Sequence, residues 1–584
     1  MELNAEQERA VKAELSPILV IAPAGTGKTR VLTERIIYLI EEGIVRPDEV
    51  LAITFTNLAA NEMVNRVGKR IKDKHKIPDA IGTIHSLFAE ILRKDIGLVC
   101  RNRNFNFEVV YGEFQDSVLR KALRRSKTDS KYSRYHLQDL KELISRYKIS
   151  TYLEENKLSP IELNKVQEVF PQYEKLLEDK NLLDYDDILI FVDRLFSEIP
   201  AILEFWKDKY KAILVDELQD VNEIQFRIIK KLISKEKPNF FAVGDPNQCI
   251  FIFAGAKENI FEEFRTLLTE CHEIELVTNY RSVKDIVDYS NTIKVLNRPK
   301  IAKSASSEKG QIIRVGKVED SLLKDLLCTE NIELSKWAVL FRHNADSKFL
   351  IELLIENGIP FRTSYFSLLD DPVIEKIINY LRLIYFDNSK PLKTILWTKD
   401  VSLDTYSRKE IASNLNFPET TLFDYLMKSE AWKDLPITDA SLANLEKFIT
   451  KIKRLRGCDK SHLAALVEEI LPEIFLRKIA PSSREKINLF IKWLKNIQKE
   501  KGEAFSEEIL CNLRYYAEIT KEDINAKRHN YLTLSTIHKT KGLEWENVVI
   551  LKYDALAQSS RAISDDKYLE YVAITRAKNA LYLC

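Results

Sequence analysis

Glycine is scarce in this chain, at 15 of 584 residues, and no low-complexity tract or internal repeat accompanies it. Repeat arrays and linker-dominated architectures are thereby set aside. Paired cysteine motifs are missing too. The seven cysteines, at 100, 249, 271, 328, 458, 511 and 584, include no CxxC spacing. Zinc and iron–sulfur sites lose their ligand frame, and buried free thiols are the expectation. No apolar stretch approaches about 20 residues, the length that spans a bilayer. Met1-Glu2-Leu3-Asn4 lacks the basic-then-apolar start of an export signal. A cytoplasmic protein with no membrane partner is expected. Charge of one sign is not in excess either, since 89 Lys+Arg against 88 Asp+Glu leave +1. Global neutrality does not announce a nucleic-acid binder, yet an enzyme that tracks one strand needs only a local groove. The basic clusters at 66–76 and 120–127 read first as solvated helix faces.

What remains is an ordinary globular composition, 45% hydrophobic and 30% charged, on a chain too long for one core. Roughly three or four domains follow from that length. Strand-like apolar runs sit at 18–21, 50–54, 107–110, 212–215, 239–243, 273–277, 337–341, 532–535 and 547–551. Helical periodicity dominates 113–180 and 372–526. This alternation predicts an α/β protein of two lobes, each interrupted by a mainly helical insertion.

Two segments carry chemistry. The run Ile18-Leu19-Val20-Ile21 feeds Ala22-Pro23-Ala24-Gly25-Thr26-Gly27-Lys28-Thr29. Glycines let backbone N–H groups curl around phosphate oxygens, Lys28 reaches the outer phosphates, and the Thr29 hydroxyl can ligate Mg²⁺. A helix over about 28–41 would point its positive end at the same anion. Ala22 stands where the strict pattern has glycine, and by itself the loop is also compatible with a glycine-rich turn. The second segment narrows the choice. Ala212-Ile213-Leu214-Val215 leads into Asp216-Glu217, a metal-holding carboxylate followed by one placed to take a proton from water. A nucleoside triphosphatase is the reading.

Further segments extend it. Leu3-Asn4-Ala5-Glu6-Gln7, Ala24-Gly25-Thr26-Gly27-Lys28-Thr29-Arg30, Thr54-Phe55-Thr56-Asn57 with Ala59-Ala60-Asn61-Glu62-Met63, Gly82-Thr83-Ile84-His85-Ser86-Leu87 and Leu183-Asp184-Tyr185-Asp186-Asp187 precede Val215-Asp216-Glu217-Leu218-Gln219-Asp220. Val243-Gly244-Asp245-Pro246-Asn247-Gln248, Asn279-Tyr280-Arg281-Ser282, Thr536-Ile537-His538-Lys539-Thr540-Lys541-Gly542-Leu543-Glu544-Trp545 and Tyr571-Val572-Ala573-Ile574-Thr575-Arg576-Ala577 follow. In this order they resemble the motifs of superfamily 1A DNA helicases of the UvrD/Rep/PcrA type, over nearly the whole chain.

The resemblance implies two RecA-like lobes, parallel sheets with flanking helices. It places the first at 1–88 and 184–275 with a helical insertion at 89–183. The second would take 276–371 and 527–584, with an insertion at 372–526. It implies ATP and Mg²⁺, with Gln7 on the adenine edge, Tyr280 stacked on the ring, and the loop Ala22–Arg30 on the phosphates. Gly542 and Glu544 would join the nucleotide site. Gln248, Arg281 and Arg576 would meet the γ-phosphate beside Lys28, Asp216 and Glu217. Thr56, Asn57, His85, Phe251, Phe253 and His538 would contact single-stranded or 3′-tailed DNA. Phe251 and Phe253 are equally well read, from composition alone, as core.

The implied activity is 3′–5′ translocation or unwinding driven by ATP, in repair or replication restart, or as a helicase subunit beside a nuclease partner in antiviral defence. A DNA-sensing ATPase switch that regulates a nuclease without processive unwinding stays open. Departures bear on DNA rather than on ATP. Leu58 stands where relatives carry lysine, and Ala254-Gly255-Ala256 where they carry Arg-Gly-Ala. The stretch 372–526 holds only Gly457 and Gly502, so no glycine-centred duplex-binding loop is expected there. The sequence ends at Cys584, where relatives continue into a strand-separating hairpin, so either a shortened protein or translocation without that pin is the expectation.

Overall fold

The computed structural model describes residues 2–584 apart from 72–76, 127–136, 156–157, 235–239, 269, 294–301, 316–331, 388, 399, 414–418, 429, 476–478, 502–505, 514–515, 517–529 and 559–564. Lys72–Lys76 of the first basic cluster, Lys127 of the second, Gly502 and Cys328 lie outside the described residues. Two compact units emerge: Met1–Ile312 with Ala555–Ala580, and Ile313–Asp554 with Leu581–Cys584.

The first unit is built on a six-stranded sheet of β1 (Ile18–Ile21), β2 (Val50–Thr54), β3 (Ala80–Thr83), β4 (Ala212–Val215), β5 (Phe240–Gly244) and β6 (His272–Glu275), ordered β3-β2-β4-β5-β1-β6. Every neighbouring pair runs parallel. Strands buried on both faces need apolar residues at every position, and β1, β2, β4 and β5 are buried throughout. Alternate side chains serve opposite faces. Ile18, Val20 and Ala22 join the cluster with Val31 and Ile36, whereas Leu19 and Ile21 join the one with Phe88, Leu189 and Ile213. The helices on the sheet include α1 (Ala5–Lys12), α2 (Lys28–Glu41), α3 (Asn57–Arg70) and α4 (Ile84–Asp95). Between β3 and β4 the chain forms α5 (Gly112–Arg125), α6 (Leu137–Tyr152), α7 (Pro160–Asp179) and α8 (Tyr185–Glu198). The first three share a core of Val118, Leu119, Ile144, Val169 and Tyr173.

A second sheet comprises β7 (Gln311–Arg314), β8 (Trp337–Phe341), β9 (Phe361–Thr363), β10 (Leu532–Thr536), β11 (Trp545–Ile550) and β12 (Ala577–Leu583), ordered β7-β12-β11-β8-β10-β9. The pairs β8–β10, β8–β11 and β9–β10 are parallel. From Pro372 to Cys511 the described chain is helical, including Pro372–Tyr385, Asp439–Leu455 and Pro481–Lys501. Two parallel-sheet α/β cores with helical insertions are therefore present, as the apolar and helical blocks predict.

All nine predicted runs contain strands, with the one at 107–110 reduced to Glu108–Val109. Several strands escape the pattern. Ala80-Ile81-Gly82-Thr83 offers one large apolar side chain, and Phe361-Arg362-Thr363 buries an arginine. The thiol expectation needs correcting. Among the described cysteines only Cys249 is buried; Cys511 is exposed and the rest are intermediate, all free. Arg66, Lys69 and Arg70 on α3, and Arg120, Lys121, Arg124 and Arg125 on α5, are exposed, as solvated faces require. Among the described residues no helix is long and apolar enough to cross a membrane.

Candidate active site

The phosphate loop follows β1 because a buried parallel strand ends at the sheet edge, where backbone must turn. Ala22 N–H donates to Gly244 O at 2.9 Å, which ties the loop's first residue to β5. Gly25 and Gly27 have φ of +76° and +89°, a region open to glycine. A Cβ at 25 would also stand 2.7 Å from the Arg281 Cβ and the Asn279 Oδ1. The loop is closed on itself by Thr26, whose hydroxyl donates to Pro23 O at 2.8 Å. Helix α2 begins at Lys28, so the N–H groups of its first turn have no intrahelical acceptor and face the concavity. This cradle, with an inward lysine and adjacent hydroxyl, fits a polyphosphate.

The buried Lys28 ammonium rests on Ala22 O at 3.3 Å. Thr29 Oγ1 donates to Asp216 Oδ2 at 3.1 Å, so a hydroxyl and a carboxylate from segments 187 residues apart converge. That donor pair suits a hard divalent cation such as Mg²⁺. Burial, then the neighbouring charge of Glu217, pushes the Asp216 carboxyl up to about 7. Glu217 sits at φ +51° and ψ +50°, which costs a non-glycine residue roughly 1–2 kcal/mol. Its carboxylate accepts from Gln219 Nε2.

Gln248 and the two arginines enter the same region. Gln248 Nε2 donates to Asp245 Oδ2 at 2.8 Å, and its Oε1 accepts from Arg576 Nη2 at 3.4 Å. Arg576 is 1% exposed and its Nε donates to Val572 O at 3.0 Å. Tyr571 completes the set, its hydroxyl donating to Asp245 Oδ2 at 3.2 Å. Arg281 Nη1 donates to Thr575 O at 3.1 Å, linking the two arginine segments. Asn279 Nδ2 donates to Ala24 O at 2.8 Å and Tyr280 N–H to Gly25 O at 2.9 Å, lacing that segment to the phosphate loop. By contact all of these residues belong to the first unit.

Gln7 and Tyr280 meet through Asn4. The Asn4 and Gln7 side chains form a reciprocal cap at the start of α1, and Asn4 Nδ2 donates to the Tyr280 hydroxyl at 2.8 Å. Gln7 is buried, with its Nε2 donating to Thr26 O at 3.0 Å. Arg30 is half-buried in the first turn of α2. Gly542, at φ +83°, and Glu544 belong to the second unit, as does His538, whose Nε2 lies 3.3 Å from Arg342 Nη1.

Apart from His538, the residues assigned to DNA lie in the first unit, around two aromatic groups. Phe251 stacks on Phe55 with centroids 5.2 Å apart, and Phe253 lies 6.1 Å from Phe251. Phe253 is 56% exposed and Phe55 44%, which removes Phe253 from the core. Thr56 caps α3 by accepting from Ala59 N–H at 3.2 Å, and the neighbouring Asn57 is exposed. Leu58 is half-buried, and the side chain of Ala254 lies outside the described residues. His85 stacks on Tyr185 at 4.4 Å, and Tyr185 on Tyr111 at 5.8 Å with planes 8° apart. Burial lowers the His85 imidazole to about 4, so it is neutral at physiological pH.

Sequence reasoning does not single out Phe55, Tyr111 or Tyr185 for DNA, nor Asn279, Asp245 and Tyr571 for the nucleotide site. An aromatic just past the last buried position of a strand is the one sign that could have found Phe55.

Comparison with known proteins agrees with this geometry. The UvrD/REP helicase N-terminal domain family matches residues 3–268, and the UvrD-like helicase C-terminal domain family matches 274–584. The protein named ATP-dependent DNA helicase PcrA of Bacillus subtilis is 31% identical over 631 residues, covering 100% of this chain and 82% of the relative. Its namesake in Staphylococcus epidermidis is 30% identical over 614 residues, with 83% of the relative covered. That of Staphylococcus aureus strain Mu50 is 29% identical over 613 residues, again with 83% covered. Two family matches that together span both α/β units, and a phosphate loop laced to Asn279, Tyr280 and Asp216, place this chain in the UvrD/REP helicase family.

Proposed function

We propose that this chain hydrolyses ATP in response to single-stranded DNA and uses the cycle to move 3′ to 5′ and part a duplex. The observation that carries the reading is the meeting of Lys28, Thr29 and Asp216 with Gln248, Arg281 and Arg576 in one unit that also exposes Phe55 and Phe253 beside the half-buried Phe251. In this reading Lys28 neutralises the outer phosphates, and Glu217 takes the proton of the attacking water. Gln248, Arg281 and Arg576 stabilise charge on the transferring group, and the loop Ala22–Arg30 holds the phosphates. Gln7 and Tyr280 bind the base, with Gly542 and Glu544 completing the nucleotide contacts. Thr29 and Asp216 would hold Mg²⁺, which when bound screens the phosphate oxygens.

Thr56, Asn57, His85, Phe251, Phe253 and His538 are the proposed DNA contacts, to which Phe55 and Tyr185 are added from their stacking. Exposed rings suit sequence-tolerant binding because every base offers a π-face. Two RecA-like lobes at 1–88 with 184–275, and at 276–371 with 527–584, account for the sheets: the first draws all its strands from 18–275 and the second from 311–583. Nucleotide-linked movement of one lobe on the other would supply the step. In this reading the protein works in the cytoplasm, where it meets its DNA substrate.

The deciding experiment offers the purified chain ATP with a 3′-tailed and a 5′-tailed duplex. Displacement from the 3′-tailed substrate alone is expected. ATP hydrolysis stimulated by single strands with no displacement would replace the helicase by a DNA-sensing switch, and co-purification with a nuclease would then name its output. A second prediction concerns stacking. Phe253→Ala should raise the oligothymidylate concentration for half-maximal ATPase stimulation by about 5- to 150-fold, the equivalent of one lost base stack of about 1–3 kcal/mol. Unchanged stimulation would return Phe253 to a structural role.

A further inference from the structure

A second cluster of charge is buried in the first unit, at the N-terminus of α8. Lys148, on α6, places its Nζ 2.8 Å from Asp184 Oδ2, 2.7 Å from Asp187 Oδ1 and 2.7 Å from Glu174 Oε1. Its side chain is 4% exposed, against 2% for Asp184 and 6% for Asp187. The three carboxylates bring oxygens within 4.8 Å of one another, a spacing a metal ion could use. The ammonium already stands against all three, so the cation of this cluster is the lysine. Burial alone would lower the Lys148 amine, but Asp184, Asp187 and Glu174 outweigh it and hold it well above its ordinary value. Burial and the Asp184 charge push the Asp187 carboxyl up.

The carboxylates are also the cap of α8. Asp187 N–H donates to Asp184 Oδ1 at 3.0 Å, and Asp184 N–H to Asp187 Oδ2 at 3.1 Å. Each therefore gives one oxygen to the helix start and the other to Lys148. The network reaches α5 as well, because the Tyr173 hydroxyl donates to Asp184 Oδ2 at 3.0 Å and accepts from Gln115 Nε2 at 3.1 Å. Tyr185 is the first residue of α8, and Tyr111 is the N-cap of α5, one turn before Gln115. These are the residues that stack on each other, with Tyr185 also stacked on His85. Tyr111 is 60% exposed and Tyr185 41%.

We propose that Lys148 is a positioning residue for single-stranded DNA. Its ammonium fixes the start of α8, and through Tyr173 and Gln115 the start of α5, so that Tyr185 and Tyr111 present parallel ring faces to the bases. This rests on the reading of His85 and Tyr185 as DNA contacts. Without the ammonium, Asp184 and Asp187 face each other uncompensated, the cap loosens and the ring row loses its alignment.

The test measures oligothymidylate-stimulated ATP hydrolysis and the fluorescence quenching of a 2-aminopurine-containing oligonucleotide on binding. Lys148→Met is expected to raise the half-saturating oligonucleotide concentration about tenfold, with kcat at saturation within about twofold and weaker quenching at saturation. Lys148→Arg, which keeps the charge, should recover most of the affinity. Tyr173→Phe removes only the bridging hydroxyl and should shift half-saturation about threefold, the size of one lost hydrogen bond.

Unchanged half-saturation and quenching in Lys148→Met overturns the proposal. If that variant does not fold, unchanged values in Tyr173→Phe overturn it instead. Matching losses of kcat and melting temperature in both Lys148 variants would leave a purely structural role and overturn it as well. Tyr185→Ala separates the two readings. If it leaves DNA affinity intact, the DNA-contact assignment fails; if it alone weakens binding, only the positioning role of Lys148 fails.

Discussion

Lys28→Ala is expected to lower ATP turnover by at least about 100-fold, the scale on which removal of one preorganised charge donor acts. The Lys28 ammonium is buried and donates to Ala22 O at 3.3 Å. Its charge already acts on the buried Asp216 and Asp245 carboxyls, and its hydrogen bond goes to a neutral carbonyl, so an incoming phosphate meets a positive charge in place. Alanine leaves the loop backbone with its glycine conformations and the Thr29–Asp216 contact, and a folded variant with an empty charge site should result. Steady-state phosphate release with saturating single-stranded DNA measures the effect. A variant that keeps its melting temperature and turns over within about fivefold of the parent would refute the assignment of the site.

Arg576→Ala carries the other large effect. Arginine fingers contribute about 10³–10⁵ in kcat to phosphoryl transfer, and a loss of at least about 1000-fold is expected here on that ground. The guanidinium is 1% exposed, held by Val572 O and Thr575 Oγ1, and touches Gln248 Oε1 at 3.4 Å. Its fork is thus oriented by the chain just before it, Val572 and Thr575, and meets the glutamine that the γ-phosphate reading requires. The signature is a split: kcat should collapse while the dissociation constant of ATP moves by less than about tenfold, because the contact strengthens as charge develops. Arg576→Lys should be nearly as impaired, since a point charge does not reproduce the fork. Equal losses in binding and turnover would make Arg576 a structural residue.

The two predictions differ in how visible their residues were. Lys28 stands in a local pattern, strand then glycine turn then helix, whose chemistry follows from spacing over a dozen residues. Asp216 and Glu217 are legible for the same reason. Arg576 is legible only through the ordered resemblance of distant motifs, because a Thr-Arg-Ala triplet has no local meaning until it is set 328 residues away against Gln248. Asn279 shows the same limit: its side chain bonds Ala24 O across 255 residues, and nothing local marks it as the anchor of the phosphate loop. Lys148 was harder still. Between Tyr147 and Ile149 it looks like any solvated helix lysine, and only packing against α7 and α8 makes it a buried counter-ion.

The sequence by itself determined the two α/β cores and the loop chemistry, since buried parallel strands need unbroken apolar runs and phosphate needs glycine, lysine and a hydroxyl at close spacing. It also determined the helical blocks, through periodicity. The tertiary structure alone decided pairings such as Asn279 with the phosphate loop and Lys148 with Asp184 and Asp187, and which aromatics face water. Phe55, Phe251 and Phe253 have the composition of a core, and Tyr111 and Tyr185 that of ordinary helix starts. Burial is a property of the neighbours a fold brings up, and the identity of a side chain does not contain them.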